Sequence, residues 1–432
     1  MPRVQEYNAL CDYFHDYRIR ENNLLKSCSD RRQNQYNQTV SHNFSSDERN
    51  ILEHIFWEGT PSRHNLIEQT KFSKSKLNAL VSNLLAEGWL EEGETHHANT
   101  GRPASEVHLS SRFGYVVGVD LWANVVHVTL SDANLRFIDT TSQEVDVRSG
   151  PQNVMPTITK TIKQLLHQNK LESSAIGRIG LGVPGPVDFE GGTMVHPILM
   201  AGWEGLSFQE YFSSSLSLPV VVDNDVNVMA LGELWHHRTN ATTSSRKENF
   251  VVVKLSAGIG AAIIAQGDIY RGTDGAAGDI AHICVDPNGQ RCVCGNVGCL
   301  EMLAGAQAIV RAAIDASSDS LQHVLTIQDV GAAALDGDLS ANEIIHRAGS
   351  AIGQVLAATV NLLNPSRIFI GGEVAQISPL LLASIRQNVY SKSLPLSTRQ
   401  LRIDYTRLGE RSGLYGAAAL AVLSTIRGNS SS

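Results

Sequence analysis

The sequence has no uninterrupted apolar run of about 18 residues, which excludes an apolar membrane-spanning helix. Its N-terminus, MPRVQEYNALCDYFHDYR, lacks the apolar stretch of a secretory signal, so a cytoplasmic protein without membrane insertion is expected. Basic residues are not in excess either. Lys and Arg total 35 against 43 Asp and Glu, a formal net charge of −8. That balance argues against nucleic-acid binding spread over the whole surface, though not against a small basic module on an acidic body. No short-period repeat is visible.

What is present is the composition of a globular protein, 42% hydrophobic and 18% charged over 432 residues. Such a length predicts two or three domains. Residues 1–44 are rich in Asn, Gln, Arg, Tyr and Ser without apolar periodicity, and read as a polar arm. Residues 45–110 change character. SSDERNILEHIFWEG has a serine N-cap, acids in its first turn and Gly59 as a stop; PSRHNLIEQT follows as a second short helix. In SKSKLNALVSNLLAEG, Leu77, Leu80, Val81, Leu84 and Leu85 form one helical stripe closed by Gly88. WLEEGETHHANTGRPASEVHLS then reads as two short strands joined by a polar tip. Three helices and a two-stranded wing are the order of a winged helix-turn-helix.

Within this head the local charge reverses. From Thr60 to Asn78 the cations Arg63, Lys71, Lys74 and Lys76 face Glu68 alone. Lys74, Ser75, Lys76 and Asn78, with Ser82 and Asn83, lie off the apolar stripe of the third helix. Lysines there can neutralise phosphates, while Asn and Ser can reach base edges of an operator DNA. Arg102, in the wing-tip sequence Gly101-Arg102-Pro103, is suited to a minor groove. A three-helix packing module with an ordinary solvated face is the alternative reading.

Beyond residue 110, strands and helices alternate to the C-terminus. Two similar strand-and-glycine entries near Val116 and Val251 suggest two similarly built lobes, 111–245 and 246–432. Of the six cysteines, Cys11 and Cys28 lie near the start and Cys284, Cys292, Cys294 and Cys299 cluster in the second lobe. In GDIAHICVDPNGQRCVCGNVGCLE, one imidazole and three thiolates, from His282, Cys292, Cys294 and Cys299, make the closed donor set of a structural Zn2+. Glycines 289, 295 and 298 allow the tight folding that such convergence needs. Cys284 alternates with His282 on an expected strand, and reads as a buried free thiol or a competing ligand.

With these motifs in order, GLGVPGPVD, VDNDVNVMALGE, LSAGIGAAI, GDIAHI…CVCGNVGCLE and NPSRIFIGGEVA, the chain resembles the ROK family of repressors, open reading frames and kinases over roughly residues 45–425. Within it, the resemblance is to the regulator branch of xylose and N-acetylglucosamine repressors. It implies an α/β, two-lobed actin-like (ribonuclease H-like, sugar-kinase) fold with a hexose in the cleft. Carried over by motif, Asn224 and Asp225 would contact the sugar, Asp225 being the vestigial general base. Glu301 and His282 would bind other hydroxyls, and Asp279 stands where the family has Glu.

The departures concern phosphate. Family kinases carry Asp-x-Gly-Gly-Thr at the first strand turn, whereas this chain has Asp120-Leu121-Trp122-Ala123-Asn124. Without those glycines, backbone N–H groups lose their approach to a phosphate. The second phosphate turn is altered too, with Ser256-Ala257 before Gly258-Ile259-Gly260. The resemblance therefore implies a non-enzymatic, sugar- or sugar-phosphate-responsive transcriptional regulator of carbohydrate metabolism, a repressor assembled as a homodimer or tetramer on paired half-sites. Two further readings stand beside it: an ATP-dependent hexose or amino-sugar kinase with an accessory DNA-binding domain, and a regulator controlled by a protein partner such as a sugar-transport component.

Overall fold

The computed structural model describes residues 42–59, 61–96, 104–197, 200–240, 248–316 and 318–428. Arg102 and most of the N-terminal arm, with Cys11 and Cys28, therefore lie outside the described residues. Among the described residues, no helix is long and apolar enough to cross a membrane.

The head begins with α1 (Ser46–Glu58), closed at its start by a capping box. The Ser45 hydroxyl accepts from the Glu48 N–H, and the Glu48 carboxylate accepts from the Ser45 N–H at 2.8 Å. Helix α2 (Arg63–Thr70) starts at Ser62 and stops at Lys71 in the left-handed region, φ 57°. Helix α3 (Lys74–Ala86) is capped by Ser73. Strands β1 (Leu90–His96) and β2 (Ala104–Leu109) pair antiparallel as the wing, with Leu90 opposite Leu109. Leu77, Val81 and Leu84 of the expected stripe are fully buried with Ile51, Leu52, Ile55, Leu66 and Trp89, while Leu80 and Leu85 pack at the margin.

The body holds two five-stranded sheets with one shared plan. In the first, β3 (Tyr115–Leu121), β4 (Val125–Asp132) and β5 (Phe137–Glu144) form an antiparallel meander. Past α4 (Pro151–Gln168), β6 (Ile176–Val183) runs parallel to β3. A small hairpin, β7 (Val187–Asp188) and β8 (Thr193–Met194), and α5 (Phe208–Leu216) lead to β9 (Val220–Asn224), parallel to β6. The order is β5-β4-β3-β6-β9. Helix α6 (Asp225–Thr239) leaves this sheet for the second. There β10 (Phe250–Leu255), β11 (Ile259–Ala265) and β12 (Asp268–Tyr270) repeat the meander.

The outer face of the second sheet is covered by α7 (Glu301–Ala304), α8 (Ala306–Ile314), α9 (Ile327–Leu335), α10 (Leu339–Leu363) and α11 (Pro379–Lys392), with the short α12 (Pro395–Thr398) beside α10. Among them β13 (Arg367–Gly371) and β14 (Arg402–Tyr405) add in parallel to β10, giving β12-β11-β10-β13-β14. The two strand-and-glycine entries read from the sequence are thus the central strands β3 and β10 of matching sheets.

The last helix, α13 (Ser412–Arg427), lies in the 246–432 stretch expected to form the C-terminal lobe. It packs on β3 and β6 of the first sheet and along α6. Helices α6 and α13 approach through glycine. A Cβ on Gly416 would overlap the Val228 carbonyl, one on Gly232 the Ser412 carbonyl, and one on Gly180 of β6 the Ala417 carbonyl. One apolar cluster joins these helices to the inner faces of both sheets and to the head core. The head is tied down further by Arg427, which donates to both Glu53 oxygens at 3.0 and 3.3 Å, and by the Arg238 guanidinium 4.6 Å from the Trp57 ring centroid. Gly416→Ala is expected to lower stability by about 1–3 kcal/mol through overpacking, measured by urea denaturation; unchanged stability would mean the two helices can separate freely.

Candidate functional site

The cysteine segment folds back on itself in tight turns. Gly295 and Gly298 have φ of 96° and 66°, and a Cβ on Gly298 would overlap the Asp286 carbonyl. The folding brings the His282, Cys292, Cys294 and Cys299 ligand atoms within 4.8 Å of one another. Cys292 Sγ lies 3.5 Å from His282 Nδ1, and Cys294 Sγ lies 3.6 Å from Cys299 Sγ. A tetrahedral ion with metal–sulfur bonds of about 2.3 Å separates its sulfurs by about 3.8 Å, so the donor set fits a metal ion. Burial, reinforced by the Cys294 and Cys292 sulfurs, pushes the Cys299 thiol up to about 12, a conflict that a cation at the centre would relieve. Cys284 corrects the expectation of a buried thiol. It bridges to Cys299 through the backbone, its residue is exposed, and it stands outside the converging group.

From this segment the chain turns into α7, and Glu301 Oε2 accepts the Ile259 N–H at 2.9 Å. Asp279 and His282 lie close enough to Glu301 to act on its carboxyl. Burial pushes the Glu301 carboxyl up and Asp279 adds to the push, against the Ile259 N–H and His282. Asp279 itself is exposed.

Asn224 and Asp225 come to the same hairpin from the other side. Asn224 caps α6, accepting the Val226 N–H at 3.1 Å and donating to the Gly185 carbonyl at 2.9 Å. Asp225 Oδ2 accepts from Lys254 Nζ at 2.8 Å. In register, Lys254 of β10 faces Gly260 and Leu255 faces Ile259, so Asp225 and Glu301 address neighbouring residues of the β10–β11 hairpin.

Two cations from the second lobe were not singled out in the sequence. Lys254 is one. Arg271, just after β12, donates to Asp223 Oδ2 at 2.7 and 3.0 Å, while Asn227 Nδ2 donates to Asp223 Oδ1 at 2.9 Å. Lys254 had a legible signal, a lone charge inside the apolar strand FVVVKL. Arg271 had none.

At the first strand turn, the Trp122 indole N–H donates to Asp120 Oδ2 at 2.8 Å, and Lys254 Nζ stands 4.8 Å from the Trp122 ring centroid. Burial pushes the Asp120 carboxyl up, more than the Lys254 ammonium and the indole bring it down. For Lys254, burial opposes the charge, but Asp225 and Asp120 outweigh it and hold its pKa above the usual lysine value. Gly371 and Gly372 serve packing, since a Cβ would overlap the Met229 side chain or the Leu255 carbonyl. Ser256 Oγ donates to Glu373 at 3.4 Å, bringing the Ser256-Ala257 turn against that segment.

In the head, Lys74, Ser75, Lys76, Ser82 and Asn83 are exposed on α3 and Asn78 is half-buried. Lys76 is turned back, pairing with Asp47 at 2.7 Å and lying over the Phe72 ring.

The ROK family model matches residues 116–423, most of the chain. The chain belongs to the ROK family. A glucokinase of Halalkalibacterium halodurans is 30% identical over 71% of this chain and 94% of its own length. The N-acetylglucosamine repressor of Shigella flexneri is 27% identical and spans more, 86% of this chain and 90% of that protein. A crystal structure of a ROK family transcriptional regulator, a homolog of the E. coli MLC protein, superposes with a TM-score of 0.73 at 25% identity, covering 91% of this chain and 97% of that one. The actin-like body behind a winged head, implied by the sequence motifs, is therefore the fold of this ROK protein.

Asp120 supplies a pH test of the cleft. A carboxyl whose folded-state pKa is raised binds its proton more tightly when folded, so the fold gains stability as pH falls through that pKa towards the ordinary carboxylate range. Asp120→Asn cannot take up this proton. Its stability relative to wild type is expected to worsen as pH falls across that window, read by urea denaturation over a pH series; a difference independent of pH would contradict the assignment.

Proposed function

We propose that this ROK protein is a sugar-responsive transcriptional repressor of carbohydrate metabolism, reading operator DNA through α3 and the wing and sensing a sugar or sugar phosphate in the cleft. The observation that carries this reading is the complete three-helix, two-strand head, joined to the kinase-like body by one continuous apolar core. The named relatives agree in direction: the repressor aligns through the head region as well as the body, whereas the glucokinase covers a smaller share of the chain.

The same reading assigns Asn224, Asp225, Asp279, His282 and Glu301 to sugar hydroxyls. Carboxylate and amide acceptors suit that work, being directional and held on a fixed frame. Nucleotide handling is the function we infer to be lost. Trp122 and Ala123 stand where a phosphate loop needs glycine, and Trp122 is committed to Asp120.

A sugar that changes the lobe arrangement has a short route to the DNA. Helix α6 starts at Asp225 and carries Arg238 against Trp57 of the head, while the same arginine donates to the Gly267 carbonyl at the β11–β12 turn. Arg427 likewise meets Glu53 of α1 and lies 3.7 Å from Asp268 of β12. A ligand that binds one lobe arrangement better biases the spacing of two heads in a dimer.

The test is a gel-shift series on the protein's own promoter region, with and without sugars; no shift at low salt would sink the reading. In that assay Lys74→Ala should weaken binding broadly and lower the salt slope by about 1. Lys76→Ala should do less, because Asp47 already holds that ammonium. Equal effects would mean that the Asp47 pair does not survive on DNA.

We further propose that the His282, Cys292, Cys294 and Cys299 set holds a structural zinc. Three thiolates and an imidazole are soft donors with no open coordination position, so the ion would staple the Glu301 segment rather than catalyse. Elemental analysis of the purified protein is expected to find zinc at about one per chain, and Cys294→Ser to lose it together with protease resistance of the segment. A zinc-free but folded wild type would refute this.

A further inference from the structure

The lobes meet at a buried ammonium. Lys254 belongs to β10 of the second sheet and is 6% exposed, while Asp225 opens α6 and Asp120 is the penultimate residue of the first sheet's central strand, 2% exposed. The ammonium is 2.8 Å from Asp225 Oδ2 and sits over the Trp122 indole. That indole in turn holds Asp120 Oδ2, and Asp120 Oδ1 has no hydrogen-bond partner among the described residues. Two carboxylates in range of each other, Asp120 buried and Asp225 partly so, repel, and the site needs either a proton on one of them or a cation beside both. In this chain the cation is part of the polypeptide.

We propose that Lys254 is a tethered counter-cation. Its ammonium takes the place that a mobile cation would otherwise fill between Asp120 and Asp225, and it closes the lobes on each other without a nucleotide. Three consequences follow from the geometry. One oxygen of Asp225 is spent on the ammonium, leaving the other for a ligand hydroxyl, so the carboxylate acts as a fixed acceptor rather than as a base. Trp122 gains a role beyond blocking a phosphate, because its ring face receives the ammonium and its N–H neutralises part of Asp120. Lys254 is accordingly a positioning residue for the cleft. The consequence for a ligand hydroxyl rests on the sugar reading above; the ammonium's structural role does not, since neither sugar nor DNA enters its test.

The experiment uses the full-length protein, with Mn2+ as the probe and thermal unfolding as the readout. Wild type is expected to show the same Tm with and without millimolar Mn2+. Lys254→Ser leaves both carboxylates without their cation; its Tm should fall well below wild type and recover by several degrees in Mn2+, because an ion that binds the folded state stabilises it. Lys254→Ser/Asp120→Asn, with one carboxylate fewer, should lose that recovery. Lys254→Met/Asp225→Asn removes one charge of each sign and should fold without the ion. The proposal is overturned if Lys254→Ser matches wild type without Mn2+ or gains nothing from Mn2+. It is equally overturned if Mn2+ raises all variants alike, or if Lys254→Met/Asp225→Asn fails to fold.

Discussion

Helices α6 and α13 touch backbone to backbone between the two sheets, at Gly232 against Ser412 and at Gly416 against Val228. Side chains larger than hydrogen at these positions would push the helices apart, and both sheets would lose the inner surface on which they rest. The close approach therefore sets the distance between the lobes. It also fixes where α6 begins, and so where Asn224 and Asp225 stand relative to the β10–β11 hairpin. Because the C-terminal helix is one half of this contact, the chain must be complete to that point before the first sheet can bury its inner face.

On this frame the cleft is held by charge rather than by apolar contact alone. Asp223 and Asp225, two residues apart on the first lobe, each meet a cation of the second lobe, Arg271 and Lys254. Buried pairs of this kind add little net stability against hydrophobic substitutes, but they specify one arrangement strongly, since either partner left alone is costly. They give the lobes a defined geometry in which the acceptors proposed for a ligand hydroxyl are already fixed in place. The cysteine segment acts from the other side, anchoring the start of α7 and with it Glu301.

The head is linked to the same frame at its far end. Arg238 and Arg427 each touch α1 and the β11–β12 turn, joining head, central helices and second lobe at one junction. A relative movement of the lobes strains this junction, because a guanidinium cannot keep both partners if they separate by more than its own reach. The exposed face of α3, proposed above to read DNA, is thus connected to the cleft by packed structure, with no long linker between them among the described residues.

Local chemistry was legible in the sequence. Serine caps, the Leu77–Val81–Leu84 stripe and Gly59 describe helices whose period and ends depend on neighbours within a turn or two. The His282–Cys292–Cys294–Cys299 set is readable because its members lie in one short loop, and Trp122 is conspicuous because it stands where the kinase-like motif of the family has glycine. The pairings of Asp225 with Lys254 and Asp223 with Arg271 were not legible, for they join residues 29 and 48 apart whose meeting depends on two sheets crossing around α6. The exposure of Cys284 and the return of α13 to the first sheet depend likewise on packing between distant segments. Periodicity and spacing are enough to set the elements, the head and the loop that gathers His282 and three cysteines. Which charges face each other across the cleft emerges from the packing alone, because it follows from the distance at which α6 and α13 can approach.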